Sequence, residues 1–129
     1  MIVVDASVLA NAIGDDATDG ATARAALAGQ DLSIPELADV EVVSVLRRRW
    51  LAKTMTARRF ATAVADLASL PADRYPLLPF MTRAYELRAN VSPYDAAYVA
   101  LAEQLGCQLL TADARLARAH GPRCPIIVL

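Results

Sequence analysis

Histidine, lysine and cysteine are almost missing from this chain, which holds one His, His120, one Lys, Lys53, and two Cys, Cys107 and Cys124, in 129 residues. A lone histidine that follows no metal spacing argues against a zinc site, and its place just before Gly121 fits the end of a helix. The two cysteines each open an apolar, strand-like segment and read as reduced core residues, with no disulfide framework. There is no G-x-S-x-G elbow and no His beside a Ser or Cys, so covalent nucleophilic catalysis has no apparatus here. Neither a P-loop nor G-x-G-x-x-G occurs, which removes the common nucleotide-binding classes. No stretch reaches the roughly 18 apolar residues of a membrane span, and no basic region precedes the short N-terminal apolar run as in a secretory signal. A soluble cytoplasmic protein with no membrane association is expected. Positive charge is also lacking in excess: 13 basic against 14 acidic residues give a formal charge of -1. Any nucleic-acid contact must therefore be local.

What the chain has in abundance is Ala, Leu and Val, within a hydrophobic share of 56% and an aromatic share of only 5%. That composition suits closely packed helices on a sheet, and the length suits one domain over residues 1–129. The pattern alternates. Ile2 to Val4 reads as strand, Ala6 to Gly14 as helix, and GDDATDG as a turn. Ala21 to Ala28 reads as helix, Leu32 to Ile34 as strand stopped by Pro35, Leu37 to Ala52 as helix, and Thr56 as the cap of a helix running to Leu70. Pro71 and Pro76 punctuate a loop leading to a brief strand at Leu77 and Leu78. Helices follow at Phe80 to Arg88 and from Ser92 and Pro93 to Gly106, then strand at Gln108 to Thr111, helix at Ala114 to Ala119, and strand at Ile126 to Leu129. This alternation predicts an α/β fold, a three-layer α/β/α sandwich with a central parallel sheet. In such sheets ligands bind beyond the carboxyl ends of the strands.

That rule makes four acids informative. Asp5 ends the first strand and Asp113 ends the fourth in the same manner, so both emerge at one edge of a parallel sheet. Asp95 lies in the first turn of a helix. Glu41 lies inside a helix among Val40, Val42 and Val43, with Leu37 and Val45 four residues to either side; a carboxylate on so apolar a stripe needs a cationic partner. Each acid also has an ordinary explanation. Asp5 and Asp113 fit helix N-caps, Ser92 and Asp95 fit a capping box, and Glu41 fits a solvated helix position, with Glu36 and Asp39 competing for its role. Taken together the four form a converging cluster. Two carboxylates about 4 Å apart repel by roughly 4 kcal/mol at an effective dielectric near 20, so the cluster calls for a cation. With oxygen donors and no His or Cys beside them, the ion is a hard one, Mg²⁺ or Mn²⁺. Ser7 and Thr111, each two residues from a strand-end Asp, are placed to orient the carboxylates or a water. Carboxylates around such an ion fit phosphodiester hydrolysis by activated water.

The segments VVDASVL, EVVSVLRR, SPYDAAYVALAEQLG and LLTADARL, in this order and spacing, resemble the PIN-domain family, and within it the VapC-type toxin ribonucleases of toxin–antitoxin pairs. The resemblance spans essentially the whole chain. It implies a PIN-like α/β/α fold and a Mg²⁺- or Mn²⁺-dependent endoribonuclease acting on RNA. It also implies catalytic and metal-binding roles for Asp5, Glu41, Asp95 and Asp113, with support from Ser7 and Thr111, and selects Glu41 over Glu36 and Asp39. Its further implications are a homodimer, a cognate small antitoxin whose tail lies over the active site, and a larger assembly with that antitoxin. Asp15 to Ile34 and Thr54 to Arg74 match none of these motifs.

Arg47, Arg48, Arg49, Lys53, Arg58 and Arg59 form a local basic stretch, and Arg115 and Arg118 follow Asp113. These are candidate contacts to RNA phosphates or to the antitoxin. Trp50 and Phe60 read as core or interface anchors. The competing functional class is a PIN-like module that binds RNA or protein without cutting. A receiver domain would need a lysine late in the chain, whereas Lys53 is the only one. A haloacid-dehalogenase-like phosphatase would need an acid where Ser7 stands.

Overall fold

In the computed structural model, which describes residues 1–129, strands and helices alternate along the whole chain. The order is β1 (Ile2–Val4), α1 (Ala6–Gly14), α2 (Thr18–Leu27), β2 (Leu32–Pro35), α3 (Leu37–Leu51), α4 (Ala57–Ser69), β3 (Ala72–Tyr75), a 3₁₀ turn (Leu78–Phe80), α5 (Met81–Glu86), α6 (Pro93–Leu105), β4 (Leu109–Thr111), α7 (Ala114–Arg118) and β5 (Ile126–Val128). The strands form one sheet in the order β3-β2-β1-β4-β5, and every neighbouring pair is parallel. From β1 the chain moves outward through β2 to β3, then returns to place β4 on the other side of β1. The connections therefore diverge between β1 and β4, which is where an open α/β sheet leaves a crevice at its carboxyl edge.

The core is built from the strands' apolar runs and the helices that cover them. Val3, Val4, Ile34 and Leu109 are fully buried, as are Leu9 of α1, Leu46 of α3 and Leu101 of α6. Helices α1, α3 and α4 pack on one another with α2 against α1, whereas α6 lies along β1 and β2 and carries α5. Residues Ala96 through Ala102 of α6 are buried without a break. A helix covered on all sides needs small residues to let its neighbours approach, and alanine supplies them here. Gly106 ends α6 in the left-handed region at φ 64°, the conformation glycine adopts without steric cost. No helix is long and apolar enough to cross a membrane.

Two segments differ from their sequence patterns. GDDATDG is only partly a turn, because α2 begins at Thr18. The Asp15 carboxylate accepts the Gly20 N–H at 2.6 Å and so caps the helix from outside, and a Cβ on Gly20 would fall 1.8 Å from the Asp15 carbonyl oxygen. Absence of a side chain at position 20 is what lets the cap approach. Nor is there a strand at Leu77 and Leu78, where the chain makes the 3₁₀ turn. The third strand is instead the polar Ala72–Tyr75, paired with β2 residue for residue. Arg74 fastens this edge strand by a bidentate bond to Asp39 of α3, at 2.7 and 3.1 Å, and by a further bond to the Leu67 carbonyl. An edge strand held by main-chain pairing and an ion pair carries little hydrophobic periodicity to read.

Most of the basic stretch divides between solvent and structure. The C-terminal end of α1 leaves carbonyls that the helix cannot satisfy itself. Arg49 of α3 donates to the Ala10 carbonyl and to Asn11 Oδ1, Arg24 of α2 to the Ala12 and Asp15 carbonyls, and Arg59 of α4 to the Ile13 carbonyl. Three helices are thereby tied to the end of a fourth. Arg47, Arg48, Lys53 and Arg58 remain exposed. Trp50 and Phe60 join α3 to α4, with ring centroids 6.3 Å apart. Both cysteines are free; burial pushes the Cys124 thiol up to about 11, so it is protonated at neutral pH.

Candidate active site

Asp5 follows β1 directly and stands at the N-cap of α1 in extended backbone, but its carboxylate makes no capping bond to that helix. It is turned toward β4. Thr111 Oγ1 donates to Asp5 Oδ2 at 2.6 Å, and Ser7 Oγ donates to the same oxygen at 3.1 Å. Both hydroxyls accept in turn from the loop after β4: Thr111 Oγ1 from the Asp113 N–H at 3.0 Å and Ser7 Oγ from the Ala112 N–H at 3.1 Å. A closed polar clasp thus joins the carboxyl ends of the two central strands. Asp5 is only 8% exposed, and its two hydroxyl partners make that burial tolerable.

Asp113 caps α7 through the Arg115 N–H at 2.9 Å, and its carboxylate also meets the Arg115 guanidinium at 3.3 Å. These bonds hold its pKa below the ordinary value. Arg115 is 85% exposed, so the pair is screened by solvent. Asp95 sits in the first turn of α6, where Ser92 Oγ accepts its N–H at 3.2 Å. The capping box is only half made, because the Asp95 carboxylate makes no return bond to the Ser92 amide. Burial first, and then the charges of Asp5 and Asp113, push the Asp95 pKa up.

Glu41 comes from α3, in the other group of helices, and meets the site across the sheet edge. Tyr98 of α6, fully buried, donates its hydroxyl to Glu41 Oε1 at 2.7 Å. Burial raises the Glu41 pKa, the Tyr98 bond opposes that rise, and the charges of Asp5 and Asp95 add to it. The competing acids face elsewhere: Asp39 is engaged by Arg74 and Glu36 is exposed at the start of α3. The four acids singled out in the sequence therefore share one electrostatic neighbourhood, in which Arg115 is the one guanidinium in contact with a carboxylate. Tyr98 escapes sequence reasoning. The signal was present, since Tyr98 lies three residues after Asp95 on one helix face, but nothing local shows that its hydroxyl meets a residue of α3.

A cleft of about 280 Å³ opens beside Ser92, Asp95, Asp113 and Arg115. A larger cavity, about 750 Å³, is elsewhere, between the end of α1, α2 and α4, and includes none of the four acids. Chemistry favours the smaller cleft, lined by two of the four acids, Asp95 and Asp113, and not by Asp5 or Glu41. No three His, Cys, Asp or Glu side chains close into a ready cage for an ion. A hard cation such as Mg²⁺ keeps several waters and takes only one or two carboxylates directly. The donors are oxygens throughout and their summed charge is negative, so the set fits such an ion and fits no soft metal.

A family model, the PIN domain, matches residues 2–122. The chain belongs to the PIN-domain family. Across its whole length this PIN-domain chain is 42% identical to Ribonuclease VapC9 of Mycobacterium tuberculosis, covering 98% of that protein. It is 40% identical to Ribonuclease VapC12 of the same organism over 126 residues, 98% of this chain and 97% of that one. Among solved structures, VapC20 of Mycobacterium tuberculosis, a toxin that cleaves the sarcin-ricin loop, aligns with a TM-score of 0.67 at 19% identity, covering 84% of this chain and 87% of that one. VapBC2 of Rickettsia felis, bound to a promoter DNA fragment, aligns with a TM-score of 0.69 at 14% identity over 100% of this chain and 99% of that one. At such identity the structural matches establish the PIN fold: a parallel five-stranded sheet flanked by helices.

Proposed function

We propose that this PIN-domain protein is a divalent-metal-dependent endoribonuclease, the toxin of a toxin–antitoxin pair that acts in the cytoplasm. The observation that carries this reading is electrostatic: burial raises the pKa values of Glu41 and Asp95, and the charges of Asp5 and Asp95 on the one, of Asp5 and Asp113 on the other, add to the rise. The whole-length similarity to VapC ribonucleases supports it independently. Asp5, Glu41, Asp95 and Asp113 would hold Mg²⁺ or Mn²⁺, which when bound supplies charge neutralisation at a scissile phosphate and acidifies water.

The chain's own residues do the rest. Ser7 and Thr111 fix the Asp5 carboxylate through Oδ2 and leave Oδ1 without a hydrogen bond. Glu41 and Asp95 are the carboxylates that would accept the proton of the attacking water. Arg115, held only by an exposed pair with Asp113, is free to turn to an RNA phosphate, a contact that positions without reading sequence. An antitoxin that covers this cleft would stop cleavage, and exposed Leu78, Tyr85 and Tyr94 give apolar surface for it or for a second copy in a homodimer.

The deciding experiment is cleavage of an RNA panel by the purified protein, with and without chelator, beside D5N and D95N. Loss of cutting in chelator and in both variants, with far-UV circular dichroism unchanged, is expected. Full activity in either variant would reject the reading. RNA binding without any cutting in the parent would mark a non-catalytic module.

A further inference from the structure

Glu41 is held by fewer bonds than Asp5 or Asp113. Asp5 has two hydroxyl donors, Asp113 has a guanidinium and an amide, but Glu41 has a single hydrogen bond, from Tyr98. A glutamate has three free torsions, and the like charges of Asp5 and Asp95 act on Glu41. Without a partner their repulsion would turn it outward to solvent. Tyr98 opposes that from a fixed position. Its ring is fully buried, and its hydroxyl donates to Glu41 Oε1.

We infer that Tyr98 is a positioning residue that draws Glu41 of α3 into the acidic site and presents its second oxygen there. The inference rests on the nuclease reading of that site. It links the two groups of helices through one bond between residues 57 apart, so the site is complete only when α3 and α6 are correctly docked over the sheet edge. Residues that orient a ligand without touching the ion commonly change metal affinity or activity by about 10–100-fold when altered.

The test is Y98F, which keeps the ring in the core and removes only the hydroxyl. Its Mn²⁺ affinity is measured on RNA-free protein by electron paramagnetic resonance, and kcat and KM on RNA separately. Expected are a loss of about 10–100-fold in Mn²⁺ affinity and in kcat, an unchanged KM, and a parental circular dichroism spectrum. On an E41Q background the same change should have no further effect on Mn²⁺ affinity, since Tyr98 acts through Glu41. Parental Mn²⁺ affinity in Y98F overturns the inference, as does an equal loss on both backgrounds, which is the mark of a general packing defect. E41Q with parental affinity and cleavage would instead overturn the reading of the site beneath it.

Discussion

Thr111 Oγ1 and Asp5 Oδ2 lie 2.6 Å apart although 106 residues separate them in the chain. The same hydroxyl accepts the Asp113 N–H, so one buried side chain sets the relation between the acid after β1 and the acid after β4. The site is a consequence of sheet order: only because β4 returns to lie beside β1 can one threonine serve both.

Removing that hydroxyl should therefore cost stability as well as function. T111V keeps the shape but leaves the buried Asp5 carboxylate short of a donor, and about 1–3 kcal/mol should be lost in urea unfolding. An unchanged midpoint would show that Ser7 alone suffices to orient Asp5.

Without metal, the burial of Glu41 and Asp95, together with the repulsion among the acids, should appear as a pH effect. Glu41 and Asp95 have folded pKa values raised above 4.5 and 3.8, so the folded state binds more protons than the unfolded state between those ordinary values and the raised ones. Stability in chelator should fall as pH rises through that window. Asp113, held below 3.8, works oppositely, and its contribution is lost as pH falls. E41Q and D95N should each flatten the fall toward neutral pH, as read from thermal midpoints across a buffer series. A steeper fall in both variants would contradict the repulsion.

Added Mg²⁺ or Mn²⁺ should raise the melting temperature of the parent protein, because an ion bound only by the native state stabilises it by about 2.7 kcal/mol at a hundred times its Kd. D5N should respond much less. Equal shifts in both would place ion binding away from Asp5.

Arg49 and Arg47 make a discriminating pair. Arg49 bonds to the end of α1, while Arg47 is exposed. R49M should destabilise by about 1–3 kcal/mol, since it strips a charged donor from partly buried acceptors, and leave kcat within a few-fold. R47A should leave stability unchanged. Loss of RNA binding in folded R49M would return Arg49 to the RNA-facing group.

Short windows carried much of the fold. The apolar run before Asp5, the Ser92 and Pro93 start and Gly106 stop of α6, and the Thr56 cap of α4, where its hydroxyl accepts the Arg59 N–H at 3.0 Å, are local decisions of strand propensity, capping and backbone freedom. Alternation of such elements then predicts a parallel sheet, and with it carboxylates at strand ends. β3 was illegible because an edge strand held by Arg74 and main-chain pairing leaves no apolar alternation, and α2 began early because its cap, Asp15, lies outside the helix.

Local sequence thus determined which residues end strands and start helices, because those preferences act over a few residues. It could not separate Arg49 and Arg59, which close the end of α1, from the solvated Arg47 and Arg58, nor show that Glu41 meets Tyr98 while Asp39 meets Arg74. Those choices belong to the tertiary structure. They depend on which surfaces the order β3-β2-β1-β4-β5 brings together, and a charged side chain buried there settles on whatever partner offsets its lost hydration, however distant in the chain.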